Sequence, residues 1–366
     1  MGKKLLKAAG ILLAAILLVV GGYAAYVFIA YHRLPDVDVT EEAYLADPGY
    51  TGDAGDTLIR PGEVYRVLTW NLGFGAYSAD FGFFLDGGAE SRAYSKQAVL
   101  ENLGHAVDVI NAQGADFKLL QEIDIGSTRS HHVDEAALIE RDVEARYVAF
   151  GQNYDSPYLF YPITEPHGAS KSGLLTLSDA FIARRQRVGL PVEKGFMKLL
   201  DLDRCYTVAH IPVQNGKTLC LYNLHLSAYT SDGAIATEQL KLLCADMLAR
   251  YEAGNYVVAG GDFNKDLPGN SGEIFGVSGE GYTWAQPLET GVIPEGLTLV
   301  DSLGAGIPVP SCRNADGPYA PGESFVLTID GFIVSDNVKV EDCRVIDEGF
   351  ACSDHNPVVM EFELME

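Results

Sequence analysis

The first 33 residues are almost entirely apolar, whereas the rest of the chain alternates short apolar runs with polar turns. From Ala8 to Tyr31 no residue is charged over 24 positions, which is long enough for a helix to cross a bilayer. Lys3, Lys4 and Lys7 precede this run, and only Arg33 closely follows it. The excess of positive charge on the N-terminal side predicts a single-pass signal anchor in the cell membrane, with the body on the extracytoplasmic side.

A cleaved signal peptide is the alternative interpretation of this run. Its apolar stretch should be shorter and should end at a small-residue cleavage site, and "VFIAYHRLP" offers a poor one. The following segment is acidic and contains several Pro and Gly residues, which is typical of a linker. We therefore predict a cytoplasmic tip and transmembrane helix in 1–33, a linker in 34–62 and one folded domain in 63–366.

Beyond residue 63 the hydrophobic pattern predicts an α/β (α+β) domain. Two amphipathic runs that end at glycines predict helices, "SKQAVLENLGHAVDVINAQG" and "TEQLKLLCADMLARYEAGN". Apolar or alternating runs predict strands: "VYRVLTWNLG", "ADFKLLQEID", "SGLLTLSDAFIARRQRV", "CYTVAHIPV", "KTLCLYNLHLSA", "YVVAGGDFN", "LTLVDSLG", "SFVLTIDGFIVS", "KVEDCRVID" and "VVMEFEL". Strands outnumber helices and several form hairpins, which favours two packed sheets flanked by helices.

The charge of the body bears on its partners. Residues after the anchor hold 22 of the 26 basic residues and all 50 acidic ones, a net charge of −28. Proteins that bind a polyphosphate backbone rely on Lys and Arg to displace counterions. Nucleic acid is therefore disfavoured as a substrate, although a local basic patch would still permit it.

The six cysteines are spread without any C-x-x-C spacing, which argues against a zinc site. Cys205 and Cys220 flank a predicted hairpin turn in "QNGK". A two-residue turn there places Cys205 opposite Leu226 and Cys220 opposite Ile211. These two cysteines are then not direct cross-strand partners, and the disulfide pairing stays open.

Polar residues of metal-binding and phosphate-binding types follow five of the predicted strands. They are Asn71, Glu122, His225, Asp262 with Asn264, and Asp354 with His355. Taken singly, an Asn or Asp there is ordinarily a turn residue, and a histidine within a strand is more often part of the core. Five such groups at strand ends are poorly explained as five independent caps, and together they predict a site at one rim of the sheets.

The order of these motifs resembles that of the endonuclease/exonuclease/phosphatase superfamily. This group includes pancreatic-type deoxyribonucleases, apurinic endonucleases, neutral sphingomyelinases and inositol polyphosphate 5-phosphatases. Its motifs W-N, Q-E, N-x-H, G-D-x-N and S-D-H stand here, between residues 64 and 364, as Trp70-Asn71, Gln121-Glu122, Asn223-Leu224-His225, Gly261-Asp262-Phe263-Asn264 and Ser353-Asp354-His355. The resemblance implies a four-layer sandwich of two mixed, largely antiparallel sheets, and metal-dependent hydrolysis of a phosphate ester.

The resemblance also implies a cofactor and its ligands. The usual ion is Mg²⁺, with Mn²⁺ as an alternative. A hard divalent cation prefers carboxylate and carbonyl oxygens, which Glu122, Asp354 and the amide of Asn71 supply, with Asp262 as a further candidate ligand.

Further roles follow from the same resemblance. Asp262 orients or deprotonates the attacking water, and Asn264 holds that water or donates to the phosphate. His225 donates to a non-bridging oxygen. His355 is an acid/base or electrostatic group whose carboxylate partner is Asp330. Which group handles the proton of the water and which that of the leaving group stays open.

The substrate contacts are less well defined by sequence. The family strand "N/G-x-A-I-L-S-R" stands here as "KSGLLTLSDAFIAR", with Asp179 where a basic residue is common. The candidate phosphate contacts are Arg129, Lys171 and Arg313, each with an ordinary surface charge as its alternative. A group of loop aromatics lines the substrate pocket or packs the loop onto the body: Tyr154, Tyr158, Phe160 and Tyr161.

Three functions fit these observations. The leading hypothesis is a membrane-anchored, extracytoplasmic phosphoesterase with a monomeric catalytic domain, acting on a phosphodiester or phosphomonoester of a lipid headgroup, an inositol-type phosphate or another small molecule. An extracellular DNA or RNA endonuclease is the second, and the charge disfavours it. The third is a catalytically silent binding scaffold, against which stands the intact set of Glu122, Asp262, Asn264, Asp330 and His355.

Overall fold

The computed structural model describes residues 2–41, 58–192, 203–228, 234–277, 284–289, 291–303 and 306–366. Helices in these ranges are α1 Gly2–Ala30, α2 Lys96–Gln113, α3 Glu135–Asp142, α4 Ala234–Glu252 and α5 Ser271–Phe275. The strands are β1 Val37–Thr40, β2 Val64–Asn71, β3 Phe117–Asp124, β4 Tyr147–Asp155, β5 Lys171–Ser178, β6 Arg184–Gly189, β7 Cys205–Pro212, β8 Thr218–His225, β9 Tyr256–Asp262, β10 Leu297–Leu299, β11 Cys312–Arg313, β12 Val326–Leu327, β13 Asp330–Ser335, β14 Val338–Val345 and β15 Val358–Leu364.

Two large sheets contain most of these strands. One has six strands in the order β14-β15-β2-β3-β5-β4, the other has seven in the order β1-β6-β7-β8-β9-β13-β10, and β11 and β12 form a small ribbon. The pairs β2–β3 and β8–β9 are parallel, and the remaining pairs in these described sheets are antiparallel. The predicted pair of mixed, largely antiparallel sheets is confirmed.

Alternation along the strands builds the layers. Val67 and Leu119 point into an apolar core between the sheets, where they meet residues such as Val258 and Phe332 of the facing sheet. Their neighbours along the strands point to the outer face of the six-stranded sheet, where α2 and α3 pack. Helix α4 covers the outer face of the seven-stranded sheet. Period-two burial on both faces of each sheet thus produces the helix–sheet–sheet–helix sandwich.

Both predicted helices of the body are present. Helix α2 begins after Ser95, whose side chain accepts a hydrogen bond from the Ala98 N–H at 3.1 Å, and it ends at Gly114 in the left-handed conformation. These are the expected signals at the two ends of a helix. In α4, Leu240, Leu243 and other apolar residues are buried against the sheet.

Several predicted elements need correction. The long strand predicted from "SGLLTLSDAFIARRQRV" is two strands, β5 and β6, which belong to different sheets. Strand β4 and helix α3 are present but were not predicted. Strand β1 lies within the predicted linker and pairs with β6, so this part of 34–62 belongs to the sheet, whereas residues 42–57 lie outside the described residues.

The hairpin register is also shifted by one residue from the prediction. Cys220 lies opposite His210 rather than Ile211. Because the Val213 N–H donates to Lys217 O, the loop has three residues, and its last residue, Gly216, has φ of 82°. This is the hairpin loop whose third residue must be left-handed. All six cysteines are buried free thiols.

Helix α1 is long and apolar enough to cross a membrane, with a mean hydropathy of 2.4 over its most apolar window. Only 6% of that window is buried against the rest of the protein. A signal sequence meets the same criteria, and the predicted topology therefore stays a prediction.

Candidate active site

The strand ends converge as predicted, at one rim of the sandwich. The parallel pairs bring Asn71 beside Gln121 and His225 beside Asp262, because parallel strands end at the same edge of a sheet. Across the next ladder, Asp330 at the start of β13 is the register partner of Asp262. A cavity of about 290 Å³ opens there. Its walls include Asn71, Glu122, His225, Asp262, Asn264, Asp354 and His355.

A buried carboxylate holds His355 from behind. The Nδ1 of His355 lies 2.8 Å from Oδ2 of Asp330, and the same oxygen accepts a hydrogen bond from Ser311 Oγ at 2.8 Å. The Nε2 faces the cavity, 3.9 Å from Oδ2 of Asp262 and 3.6 Å from Sγ of Cys312. Burial lowers the pKa of His355, but Asp330 and the neighbouring anionic groups raise it, and the net shift is well above its ordinary value. This shift favours the imidazolium form of His355, whose Nε2 faces the cavity.

The loop that contains His355 is fixed to the end of β2. Ser353 Oγ donates to Asn71 O at 2.7 Å and accepts from the His355 N–H at 3.1 Å. The indole N–H of Trp70 donates to His355 O at 2.8 Å. These three bonds explain why the W-N and S-D-H motifs belong to one site.

Asn71 connects two carboxylates. Its Nδ2 donates to Glu122 Oε1 at 3.2 Å and to Asp262 Oδ2 at 3.1 Å, while its Oδ1 accepts the Gly73 N–H at 3.0 Å. The amide nitrogen, not the oxygen, therefore faces the carboxylates. As a metal ligand Asn71 would have to use the remaining lone pair of Oδ1.

Glu122 reaches the rim through an irregularity in β3. The pairing of β3 with β5 shifts register between Leu120 and Ile123, and Glu122 has φ of 56°. A bulge of this kind turns a side chain out of the regular alternation, and a left-handed backbone at a residue other than glycine costs about 1 kcal/mol or more. The fold maintains that strain where the Q-E motif places its carboxylate.

Asp262 is held by three neighbours. Its Oδ1 accepts the Asn264 N–H at 2.8 Å, and its Oδ2 lies 3.4 Å from Nε2 of His225 as well as against Asn71. Burial raises the pKa of Asp262, and Asp330 adds to the shift although His355 opposes it. The Nδ2 of Asn264 donates to Leu226 O at 2.8 Å, which uses one of its two amide hydrogens.

The surroundings of His225 favour its neutral form. Burial lowers its pKa well below the ordinary value, and the positive charges of Arg204 and His355 lower it further. Its Nδ1 is buried and has no hydrogen-bond partner among the described residues. A buried polar atom of this kind at a cavity wall is expected to meet a ligand or water.

Asp354 and Glu122 form the acidic side of the cavity. Burial raises the pKa of Asp354 to about 6; His355 and Arg313 oppose this shift, and Glu122 adds to it. Neither carboxylate forms an ion pair with a lysine or arginine in the described part of the chain. Two carboxylates that line one cavity without such an ion pair fit a hard divalent cation.

A second set of possible metal-ligand atoms includes Asp262. Asp262, Asp330 and His355 each offer one such atom, and these three atoms lie within 4.8 Å of one another. Asp330 Oδ2, however, already accepts from His355 and Ser311. The Oδ1 of Asp330, by contrast, is buried and has no hydrogen-bond partner among the described residues, so this set and the acidic side of the cavity are both candidate positions for a cation.

The three predicted substrate cations differ in position. Arg129 lines the cavity, but its Nε and Nη2 donate to both oxygens of Asp124 at 3.0 and 2.9 Å. Arg313 also lines it, and its guanidinium donates to four backbone carbonyls. Lys171 lies outside the cavity, with a mostly exposed side chain 3.8 Å from Asp155. Contact of Lys171 with the substrate therefore stays a prediction that its position outside the cavity does not support.

The structure adds residues that no motif indicated. Arg204, directly before β7, is buried and lines the cavity. An apolar wall of the cavity is formed by Phe74, Tyr77, Phe83, Leu85 and Trp284. Of the predicted loop aromatics, only Tyr154 lines the cavity. A basic residue directly before a buried strand was the one sequence signal for Arg204.

The fold is similar to that of several solved structures. The chain is similar to an endonuclease/exonuclease/phosphatase from Beutenbergia cavernae DSM 12333, with 21% identity and a TM-score of 0.56 over 82% of this chain and 72% of that one. It is similar to ANGEL2, a 2′,3′-cyclic phosphatase solved with adenosine-2′,3′-vanadate, with 16% identity and a TM-score of 0.54 over 83% and 96%. It is also similar to an endonuclease/exonuclease/phosphatase family protein from Leptotrichia buccalis C-1013-b. The sequence identity is 14% and the TM-score 0.51, over 82% of this chain and 100% of that one.

The chain therefore has the fold of the endonuclease/exonuclease/phosphatase superfamily, as its motif order predicts. No protein-family model and no curated protein sequence matches it.

Proposed function

We propose that this chain is a membrane-anchored, divalent-metal-dependent phosphoesterase that hydrolyses its ester by in-line attack of water. The observation that carries the proposal is the pairing of Asp330 with His355 at 2.8 Å opposite Asp262, across a cavity whose acidic side is Glu122 and Asp354. The fold supports it, since structures with this fold include a 2′,3′-cyclic phosphatase.

Glu122 and Asp354 would hold the cation, which we expect to be Mg²⁺ or Mn²⁺. When bound, it polarises a phosphoryl oxygen and stabilises the leaving alkoxide. Asn71 keeps Glu122 in place through its amide N–H at 3.2 Å.

Asp262 and the two histidines have different roles in the proposed reaction. Asp262 has a raised pKa and accepts hydrogen bonds from Asn71 and the Asn264 N–H, so it suits the general base that takes a proton from water. The raised pKa of His355 favours its protonated form, which suits a donor rather than that base. His355 donates from Nε2 to the phosphoryl group as negative charge develops, and His225 adds a neutral donor on the other side of Asp262.

Two of the three arginines that line the cavity are engaged within the protein, which argues against a nucleic-acid substrate. Arg129 is paired with Asp124, and Arg313 donates to backbone carbonyls. Together with the net charge of −28 outside the anchor, this leaves a weak basis for binding a polyphosphate chain. We therefore propose a small or lipid-borne phosphate ester as the substrate.

The test is hydrolysis of bis-p-nitrophenyl phosphate by the full chain in nanodiscs, with Mg²⁺ or Mn²⁺ and with EDTA. We expect EDTA to abolish the activity and Glu122→Gln to lower kcat by about 10²-fold or more. Glu140→Gln, an exposed carboxylate of α3, is the matched control and should leave kcat unchanged. Activity that persists in EDTA and in both Glu122→Gln and His355→Ala would refute the proposal.

A substrate panel then separates the candidate esters. It contains sphingomyelin, phosphatidylinositol phosphates, soluble inositol phosphates and plasmid DNA. Preferred cleavage of DNA would favour the nuclease alternative over the proposal made here.

A further inference from the structure

The C-terminal part of α1 is joined to one loop of the body. Tyr23 Oη donates to Tyr158 O at 3.2 Å and accepts the Phe160 N–H at 3.0 Å, and Tyr26 Oη accepts the Tyr158 N–H at 3.0 Å. The rings of Tyr23 and Phe160 also meet edge to face, 5.4 Å apart. We call the segment Tyr158–Ile163 the aromatic loop. It is attached to the helix by both its backbone and its side chains.

The position of this attachment along α1 sets its depth in a bilayer. A helix rises about 1.5 Å per residue, so Tyr23 and Tyr26 lie about 24 and 28 Å from Lys7, the last charge before the span. The hydrocarbon core of a bilayer is about 30 Å thick. With Lys7 at one boundary, both tyrosines lie just inside the opposite boundary, where tyrosines are enriched. The aromatic loop then lies at the same depth.

The side chains of the aromatic loop suit that depth. Phe160, Tyr161 and Ile163 are 56%, 65% and 88% exposed. Three adjacent large apolar side chains facing water would form an unfavourable patch, whereas burial in a membrane recovers about 25 cal/mol per Å². The strongly acidic body gives no electrostatic attraction to anionic lipids, so the contact must be apolar.

The backbone of Tyr158, Leu159 and part of Phe160 and Tyr161 has its hydrogen bonds satisfied within the protein. Leu159 and Gly168 exchange N–H···O bonds at 3.0 and 3.1 Å, and the His167 N–H donates to Tyr161 O at 3.1 Å. Both the N–H and the C=O of Tyr158 bond to the α1 tyrosines. Irregular backbone is tolerated near hydrocarbon only where its polar groups are satisfied.

A row of aromatic contacts leads from the aromatic loop to the cavity. The ring of Tyr161 lies 5.7 Å from that of Phe84, which lies 4.9 Å from Phe83 and 6.1 Å from His167. Phe83 and His167 line the cavity, as does Leu85, which is 54% exposed. The apolar wall of the active site is thus continuous with the loop beside α1.

We propose that the aromatic loop inserts into the leaflet surrounding the C-terminal end of α1, and that the cavity takes a phosphate ester carried by a lipid of that leaflet. This inference rests on the proposed phosphoesterase function and on α1 spanning the bilayer. The headgroup phosphate would reach His355 and Asp262, while the apolar part stays on the side of Phe83 and Leu85. Phosphate esters in solution lack this second contact.

Insertion is tested without relying on activity. Ile163→Trp is introduced into the full chain and reconstituted in phosphatidylcholine nanodiscs with brominated or unmodified acyl chains. Bromine should remove about half of the emission that the new tryptophan adds, as for an interfacial side chain. Ile307→Trp, at a position 92% exposed on another loop, should lose none. Equal quenching of the two variants, or no quenching of either, would overturn the insertion.

The lipid source is tested by activity on two substrates. Ile163→Glu should slow hydrolysis of phosphatidylinositol phosphates or sphingomyelin in phosphatidylcholine vesicles by about tenfold and leave bis-p-nitrophenyl phosphate unaffected. Ile307→Glu is the matched control for both substrates. Equal effects of Ile163→Glu on the two substrates, or a parent protein that cleaves only the soluble ester, would overturn the inference. A parent inert toward every ester would instead refute the proposed function.

Discussion

The two histidines of the cavity lie on either side of one carboxylate and yet differ in charge. Nε2 of His225 is 3.4 Å and Nε2 of His355 is 3.9 Å from Oδ2 of Asp262. Both rings are buried. Burial lowers the pKa of each, but only His355 has a second carboxylate, Asp330, at its other nitrogen. The partner behind the ring, rather than burial, thus decides which histidine is charged.

The difference gives each side of the cavity its own task. On the His355 side the raised pKa favours a positive charge on the ring, whose Nε2 faces the cavity. The His225 side offers a neutral ring whose Nδ1 is buried and has no partner among the described residues. A phosphoryl group between them would meet one charged donor and one uncharged donor.

Removing the charge behind His355 should have the largest effect. Asp330→Asn keeps a hydrogen-bonding side chain but removes the charge, and we expect kcat to fall by about 10³-fold. The affinity for Mn²⁺, measured by calorimetric titration, should change little, because Asp330 does not line the cavity with Glu122 and Asp354 and instead bonds His355 and Ser311. Asp354→Asn should lose both kcat and Mn²⁺ binding. Equal losses of Mn²⁺ affinity in the two variants would contradict the assignment of these carboxylates.

Removing the neutral histidine should have a smaller effect. His225→Gln keeps a hydrogen-bond donor, but its side chain has a different length and shape. We therefore expect kcat to fall by about 10²-fold, the usual loss for one transition-state donor. His105→Gln, an exposed histidine paired with Glu348, is the control and should keep the parental rate. A loss at His225 as large as that at Asp330 would show that the two sides of the cavity do not differ in role.

The smallest effect is a pH dependence of stability in the absence of divalent ions. The pKa of Asp354 is raised from 3.8 to about 6 in the folded protein, so the folded state binds this proton more tightly than the unfolded state. The resulting contribution to the free energy of unfolding is fully present below pH 3.8 and is lost as the pH rises through about 6. The expected change in the free energy of unfolding is about 1–3 kcal/mol. We would measure it by urea unfolding of the full chain and of the Asp354→Asn variant between pH 4 and 8. The parent should lose stability relative to the variant as the pH rises, and parallel curves would contradict the burial argument.

The motif residues could be predicted from sequence because they lie at or near the ends of predicted strands, and a residue at a strand end lies at the rim of its sheet. His225 and Asp262 end neighbouring parallel strands, and Asn71 ends β2 beside Gln121 of the Q-E motif. Knowing that a strand ends at a residue is almost enough to place that residue at the rim. Asp330 was found by resemblance, since its distance from His355 depends on the pairing of β13 with β9.

The positions of the basic loop residues and of strand β4 could not be predicted, because they depend on packing against residues that are distant in the sequence. Lys171 and Arg129 look alike as loop cations, but Arg129 is enclosed with Asp124 and Lys171 faces solvent. The polar and glycine residues of "YVAFGQNYD" weaken the strand pattern of β4. Gly151 is required there by the facing sheet, because a Cβ at this position would lie 2.1 Å from the methyl group of Thr207. A pattern within one strand cannot show contacts of that kind.

The bonds that tie the S-D-H loop to β2 have a consequence for synthesis of the protein. They join residues 285 and 282 positions apart, Trp70 to His355 and Asn71 to Ser353, and β15 is inserted between β14 and β2. Contacts so distant in sequence form late in folding. Helix α1 is synthesised first, whereas the candidate site can be assembled only after residues 353–364 have left the ribosome.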